Sequence, residues 1–96
     1  ADAVGAVMEG SVAALCALPY YFNLPLAEAA VARGVHFADL GGNTAIVESQ
    51  IRTLDAPARA KGVSVLPDCG LAPGLVNVIA EHGIRQCDTV SAVRCY

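Results

Sequence analysis

Asp68-Cys69-Gly70-Leu71-Ala72-Pro73-Gly74 sets an acid, a thiol, two glycines and a proline in seven successive residues. An acid at the end of a strand can pair with a substrate ammonium or take its proton. Gly70 allows close approach of backbone or ligand. Pro73-Gly74 opens a helix whose N-terminus holds roughly half a positive charge and unpaired donors, which suits a phosphate or a carboxylate. Asn77, near the start of that helix, can bond a ligand or the neighbouring loop. A helix-capping loop with a solvated Asp68 is the plainer alternative. Two more segments have comparable content. In Leu18-Pro19-Tyr20-Tyr21-Phe22-Asn23, the proline turns the chain without needing a backbone donor, so the backbone can lie flat beside a ring or a sugar. Tyr20 fits a site or a packing role equally, whereas Tyr21 reads as packing on a neighbouring helix. Leu40-Gly41-Gly42-Asn43-Thr44 offers close approach and free N–H groups at a helix start, suited to an anion or a carboxamide. Glycine pairs also serve ordinary turns.

The remaining chemistry-bearing residues read more blandly. His36 sits among apolar residues and is expected to be a satisfied interior histidine. His82 follows Glu81 late in a helix, where a cation suits the dipole at the surface. Cys69 reads as a small apolar filler. The other cysteines, Cys16, Cys87 and Cys95, form no C-x-x-C with it or with each other. Zinc needs clustered ligands, so no metal site is expected. Disulfide frameworks belong to core-poor secreted chains. With 55% hydrophobic residues, this chain is core-rich, and reduced thiols in a cytoplasmic protein are expected.

These residues need elements to position them. Residues 3–9 read as the end of a helix closed by Gly10. Val12–Leu18 is a continuous apolar run between Gly10 and Pro19, the pattern of a strand buried on both faces of a parallel sheet. Asn23 is expected to cap the next helix, with Pro25 in its first turn. In that helix Leu26, Ala27, Ala30 and Val31 recur at helical spacing, and Gly34 closes it. Val35–Leu40 is a second strand. A helix from about Ala45 places Ile46, Val47, Ile51 and Leu54 on one face. Pro57 is expected to break it, with a recap at Asp55. Gly62 closes the second part, and Val63–Leu66 is a third strand. The last helix runs from Pro73 or Gly74 to about Gln86, with Leu75, Val76, Ile79, Ala80 and Ile84 as its apolar face. Thr89–Tyr96 alternates weakly and reads as a strand entering another region.

The order β-α-β-α-β-α-β with short connections predicts an α/β fold, a partial Rossmann-type parallel sheet with right-handed crossovers. Two helix-to-strand turns are near copies, Ala32-Arg33-Gly34-Val35 and Ala60-Lys61-Gly62-Val63. Those turns are plain, whereas the three strand-to-helix turns are the rich segments above. Ligands of open α/β sheets bind outside the carboxyl ends of the strands, so all three rich loops should share one crevice.

At 96 residues the chain holds at most one domain. Its net charge is −3 and its six basic residues are scattered, which gives no basic stripe for nucleic acid or anionic lipid. Mean hydropathy is +0.52. The longest apolar run nevertheless stops at Pro19, short of the roughly 20 residues a membrane span needs. A first residue of Ala and an apparent strand at the last residue suggest a segment of a longer protein.

Leu18-Pro19-Tyr20-Tyr21-Phe22, Asp39-Leu40-Gly41-Gly42-Asn43 and Asp68–Gly74 with Asn77, in that order and spacing, resemble the saccharopine dehydrogenase-like family. The nearest branch is the lysine 6-dehydrogenase-like proteins. The resemblance implies an NAD(P)-dependent oxidoreductase acting on the C–N bond of an amino acid. It further implies a Rossmann domain, a second α/β domain and a homodimer. Residues 1–87 would be the second half of the Rossmann domain, and residues 88–96 the start of the second domain. The fingerprint G-x-G-x-x-G is absent from these residues, although in the family it lies upstream. The 96 residues alone should therefore catalyse nothing. Carried over through the motifs, Leu18, Pro19, Gly41, Gly42 and Asn43 would border the nicotinamide and its ribose. Tyr20 and Asp68 would transfer protons or bind the ammonium. Gly70, Gly74 and Asn77 would shape the substrate pocket. NAD and NADP both remain open. Two other functions also fit: a non-catalytic nucleotide-binding module or scaffold, and a reductase that forms the C–N bond, as in the saccharopine and carboxynorspermidine branches.

Overall fold

Three short strands, all parallel, lie side by side in the order β1-β2-β3 in a computed structural model that describes residues 2–95. Helix α1 (Asp2–Met8) precedes β1 (Ala13–Cys16). A single 3-10 turn (Tyr20–Phe22) leads into α2 (Asn23–Ala32). Then come β2 (His36–Asp39), α3 (Thr44–Lys61), β3 (Val65–Leu66) and α4 (Leu75–Ile84). Ala13 pairs with His36 and Cys16 with Asp39; Phe37 pairs with Val65 and Ala38 with Leu66. The α/β, partial Rossmann-type class expected from the sequence is the class observed.

The core forms where α2 and α3 cover one face of the sheet. Met8, Cys16, Leu26, Ala27, Ala30, Val35, Phe37 and Leu54 make up its buried cluster. Leu26, Ala27, Ala30 and Val31 supply the buried side of α2, as their spacing predicts. The strands are not buried on both faces, however. Ala13 and Leu15 of β1 and Leu66 of β3 lie exposed, because both crossover helices sit against the opposite face. Gly34 and Gly62 take left-handed φ values of 73° and 67°. Each is followed by a valine N–H that returns to a carbonyl five residues back, Val35 to Ala30 and Val63 to Ala58. The near-identical sequences thus make the same helix closure.

Several expectations are corrected. Helix α3 runs unbroken through Pro57. Gln50, Leu54 and Ala58 are its buried residues, four apart, and this stripe anchors both sides of the proline against the body. Asp55 does not recap the helix but accepts from the Arg59 guanidinium at 3.0 Å. A proline in a helix interior costs about 3 kcal/mol relative to alanine. Pro57→Ala is therefore expected to raise stability by about 1–3 kcal/mol, read as a higher urea midpoint at unchanged slope; an unchanged midpoint would contradict it.

Asn23 is not the cap of α2. Phe22 holds that position and Asn23 lies inside the helix, buried. Residues 89–95 form no strand, since their weak alternation meets no neighbouring strand to pair with; Tyr96 lies outside the described residues. Helix α4 ends at Ile84 rather than Gln86 and buries none of its residues. Leu75 and Ile79, two of its expected core positions, are exposed. The projection of α4 and the following residues accounts for a radius of gyration of 15.7 Å, against about 12.5 Å for a compact chain of this length. No helix of the described residues is long and apolar enough to cross a membrane.

Candidate functional site

Because the strands are parallel and adjacent, their carboxyl ends deliver the three rich loops to one edge, and the loops touch. The β-carbon of Tyr20 sits 3.4 Å from where a Gly42 side chain would begin. A side chain on Gly41 would collide with the Asp68 carboxylate, and one on Gly70 with the Leu40 carbonyl. Gly41 and Gly42 have φ of 74° and 115°, values that exclude most side chains. The first two loops are also linked by Asn23, whose Nδ2 donates to the Gly41 carbonyl at 3.4 Å while its Oδ1 accepts from the Cys16 thiol.

Asp68 is the non-glycine residue with positive φ, 61°, among the described residues. That conformation costs of order 1–2 kcal/mol and points the half-buried carboxylate toward the Gly41 turn. The carboxylate takes no hydrogen bond or ion pair among the described residues; the Asp68 backbone N–H is the group that is held. Tyr20 is half-exposed beside Gly42, and its ring meets Tyr21 edge-on at 5.7 Å. Tyr21 was expected on a neighbouring helix. It is 58% exposed instead and stacks between Tyr20 and Phe22, because the tight 3-10 turn keeps all three rings outside the core.

Other expected site residues are engaged elsewhere. Asn43 caps α3 by accepting from Ile46 N–H at 3.2 Å. Asn77 Oδ1 accepts from Gly74 N–H at 3.0 Å. In the same turn Leu75 N–H donates to the Gly70 carbonyl, Val76 N–H to Leu71 and Asn77 N–H to Gly74. The start of α4 thus has its donors satisfied by its own loop, and the expected phosphate or carboxylate site there is corrected on that ground. Gly74, with φ 126°, is required because a β-carbon would strike the Gly70 carbonyl. Pro19 begins the 3-10 turn, accepting from Phe22 N–H, and is exposed. Leu18 lines a hollow with Val4, Met8 and Leu26, toward α1 rather than toward Gly42. The N–H groups of Gly42 and Thr44 keep no partner among the described residues, so the second loop retains donors for a ligand.

The residues read as bland mostly stay so. His36 Nδ1 accepts from Ser64 N–H at 3.0 Å, but the residue is half-buried rather than interior. His82 is exposed and meets the Gln86 amide. Cys69 is exposed rather than a filler, its thiol toward the Leu66 and Pro67 carbonyls. A cleft of about 360 Å³ between α3 and β3 is lined by Gln50, Leu54, Ala58 and Pro67, on the flank of the sheet and away from Tyr20 and Gly42.

Two buried polar residues have no role assigned from the sequence, although Asp39 opens one of the three motifs. Asp39, fully buried at the end of β2, accepts from Gly41 N–H, Asp68 N–H and the Gln50 amide. Gln50 is buried on α3. An acid closing an apolar strand is the signal that could have marked Asp39, since a buried carboxylate must find donors.

No solved structure matches the chain. Residues 1–66 match the family described as saccharopine dehydrogenase NADP binding domain. The loop from Asp68 to Gly74 lies beyond that match and rests on its geometry. A parallel three-stranded sheet with crossover helices, its glycine turns gathered at the strand ends, and a match over more than half the chain lead to one conclusion: the chain belongs to the saccharopine dehydrogenase NADP-binding domain family, whose Rossmann-type fold binds NAD or NADP in oxidoreductases.

Proposed function

We propose that this chain supplies the nicotinamide-facing part of the cofactor site in a dehydrogenase that oxidises the C–N bond of an amino acid, nearest in kind to lysine 6-dehydrogenase. The observation that supports this most is the Asp68 carboxylate, without a hydrogen-bond or ion-pair partner among the described residues and held against the Gly41-Gly42 turn. When bound, the nicotinamide supplies the hydride acceptor. The residues present fit such a ring and its ribose: the glycine turn has no side chains to obstruct it, and Gly42 and Thr44 offer N–H donors. Pro19, just past the end of β1, borders the same edge.

A substrate ammonium must lose a proton before its carbon can lose hydride. Asp68 binds the ammonium and takes that proton. Tyr20, across the Gly42 turn, orients the nitrogen or passes the proton to solvent. Gly70 and Gly74, where a side chain would strike neighbouring backbone, let this loop pack against the end of β2 and so shape the substrate pocket. The loops hold donor and acceptor carbons in line, which is the protein's contribution to a hydride transfer.

The test is the complete protein given NAD or NADP with lysine and related diamino acids, followed by the absorbance of reduced nicotinamide. Amine-dependent reduction is expected. Cofactor binding with no turnover in either direction would instead mark a binding module. Turnover only from a keto acid or aldehyde plus an amine would assign the C–N-forming direction.

A further inference from the structure

Asp39 is fully buried, yet no cation approaches it among the described residues. Its Oδ1 accepts two backbone N–H groups from two different loops, Gly41 at 2.7 Å and Asp68 at 3.3 Å. Its Oδ2 accepts from Gln50 Nε2 on α3 at 2.8 Å. Its own carbonyl accepts from Cys69 N–H at 2.8 Å. One residue at the end of the central strand therefore joins the glycine turn, the Asp68 loop and α3. The Gln50 amide that steadies it leaves its own Oε1 buried and without a partner among the described residues.

We propose that Asp39 is a positioning residue, which sets the distance between the Gly41-Gly42 turn and the Asp68 carboxylate. The inference rests on the proposed role of Asp68. Two N–H groups converging on one oxygen fix two loop backbones relative to each other, because each must lie within hydrogen-bond reach of the same atom. The left-handed turn at Asp68 then directs its side chain to Gly41. A carboxylate accepts on both oxygens, so it serves the loops on one side and Gln50 on the other. Asparagine in its place keeps an acceptor for the two loop N–H groups. Its new amide would face Gln50, whose side chain can turn over and present the partnerless Oε1. What this role requires is acceptor geometry toward the loops rather than the charge.

The experiment is a double-mutant cycle in the complete protein. Asp39→Ala is expected to lower kcat at least tenfold with KM for the cofactor little changed. In an Asp68→Asn background the same substitution should cost less than twofold, since Asp39 acts through Asp68. Equal losses in both backgrounds would overturn the proposal, because general damage adds. Asp39→Asn covers the case in which alanine does not fold: its kcat should stay within about threefold of the parent, and a tenfold loss in the folded protein would overturn the geometric role. Amide hydrogen exchange reads the pin without catalysis. The N–H groups of Gly41 and Asp68 should be protected in the parent and in Asp39→Asn; fast exchange at both in the parent would overturn it. If the amides are protected but no amine-dependent reduction occurs, the functional reading fails and the pin stands.

Discussion

Asp68→Asn in the complete protein is expected to lower turnover by well over tenfold, and Tyr20→Phe to do the same. The two substitutions change almost no volume, so the effect is chemical. Asparagine keeps the shape of the carboxylate but cannot take a proton from an ammonium or pair with its charge. The left-handed backbone at residue 68 accommodates asparagine as readily as aspartate, so the loop should keep its course. The Asp68 carboxylate has no ion pair or hydrogen bond to lose among the described residues, and the fold should keep its stability. General acid–base groups contribute typically about 10²- to 10⁴-fold, which sets the scale. Tyr20→Phe removes only a hydroxyl from a half-exposed ring. The measurement is steady-state kinetics on both variants beside their unfolding curves. Normal kinetics in both would remove Asp68 and Tyr20 from the chemistry.

The unequal roles of neighbouring residues in these loops explain what could be read from the chain beforehand. Hydrophobic spacing and glycine placement are local, and they located the sheet, the two helix closures at Gly34 and Gly62 and the three loops that meet. Pro57 is also local, but the stripe of Gln50, Leu54 and Ala58 is tertiary, and packing outweighed the proline. Asn23 has the side chain of a cap, yet its position under the Gly41 carbonyl is decided by the partner strand. The start of α4 reads as an anion site because a helix end always leaves donors. Whether its own loop folds back to take them, as Gly70 and Leu71 do, depends on a turn geometry that residue types do not specify. Asp39 needed knowledge of three donors from three elements, none adjacent to all the others in sequence. Polar residues that knit elements together are the least legible, and in this chain they are the ones that hold the site.

Gly41→Ala is expected to abolish most turnover and to destabilise the protein, and a second glycine separates the two causes. Both Gly41 and Gly34 have φ near 74°, so an added β-carbon strains each backbone by a similar amount, about 1–2 kcal/mol. Their surroundings differ. At Gly34 nothing lies within 4 Å of the new carbon, whereas at Gly41 it would strike the Asp68 carboxylate and approach the Asp68 backbone at 3.0 Å. The Asp68 carboxylate can rotate, but its Cα cannot retreat, since its N–H is tied to Asp39 and the next residue's N–H to the Asp39 carbonyl. The carboxylate must therefore swing off the glycine turn, or the turn and the loop must separate. Gly34→Ala should lose about 1–2 kcal/mol of stability and keep its kcat. Gly41→Ala should lose that amount plus the cost of the clash, with kcat down at least tenfold and weaker cofactor binding. Urea unfolding and steady-state kinetics on the pair decide the matter. Equal stability losses with kcat unchanged in both would mean that the glycine turn and the carboxylate do not share a crevice in solution.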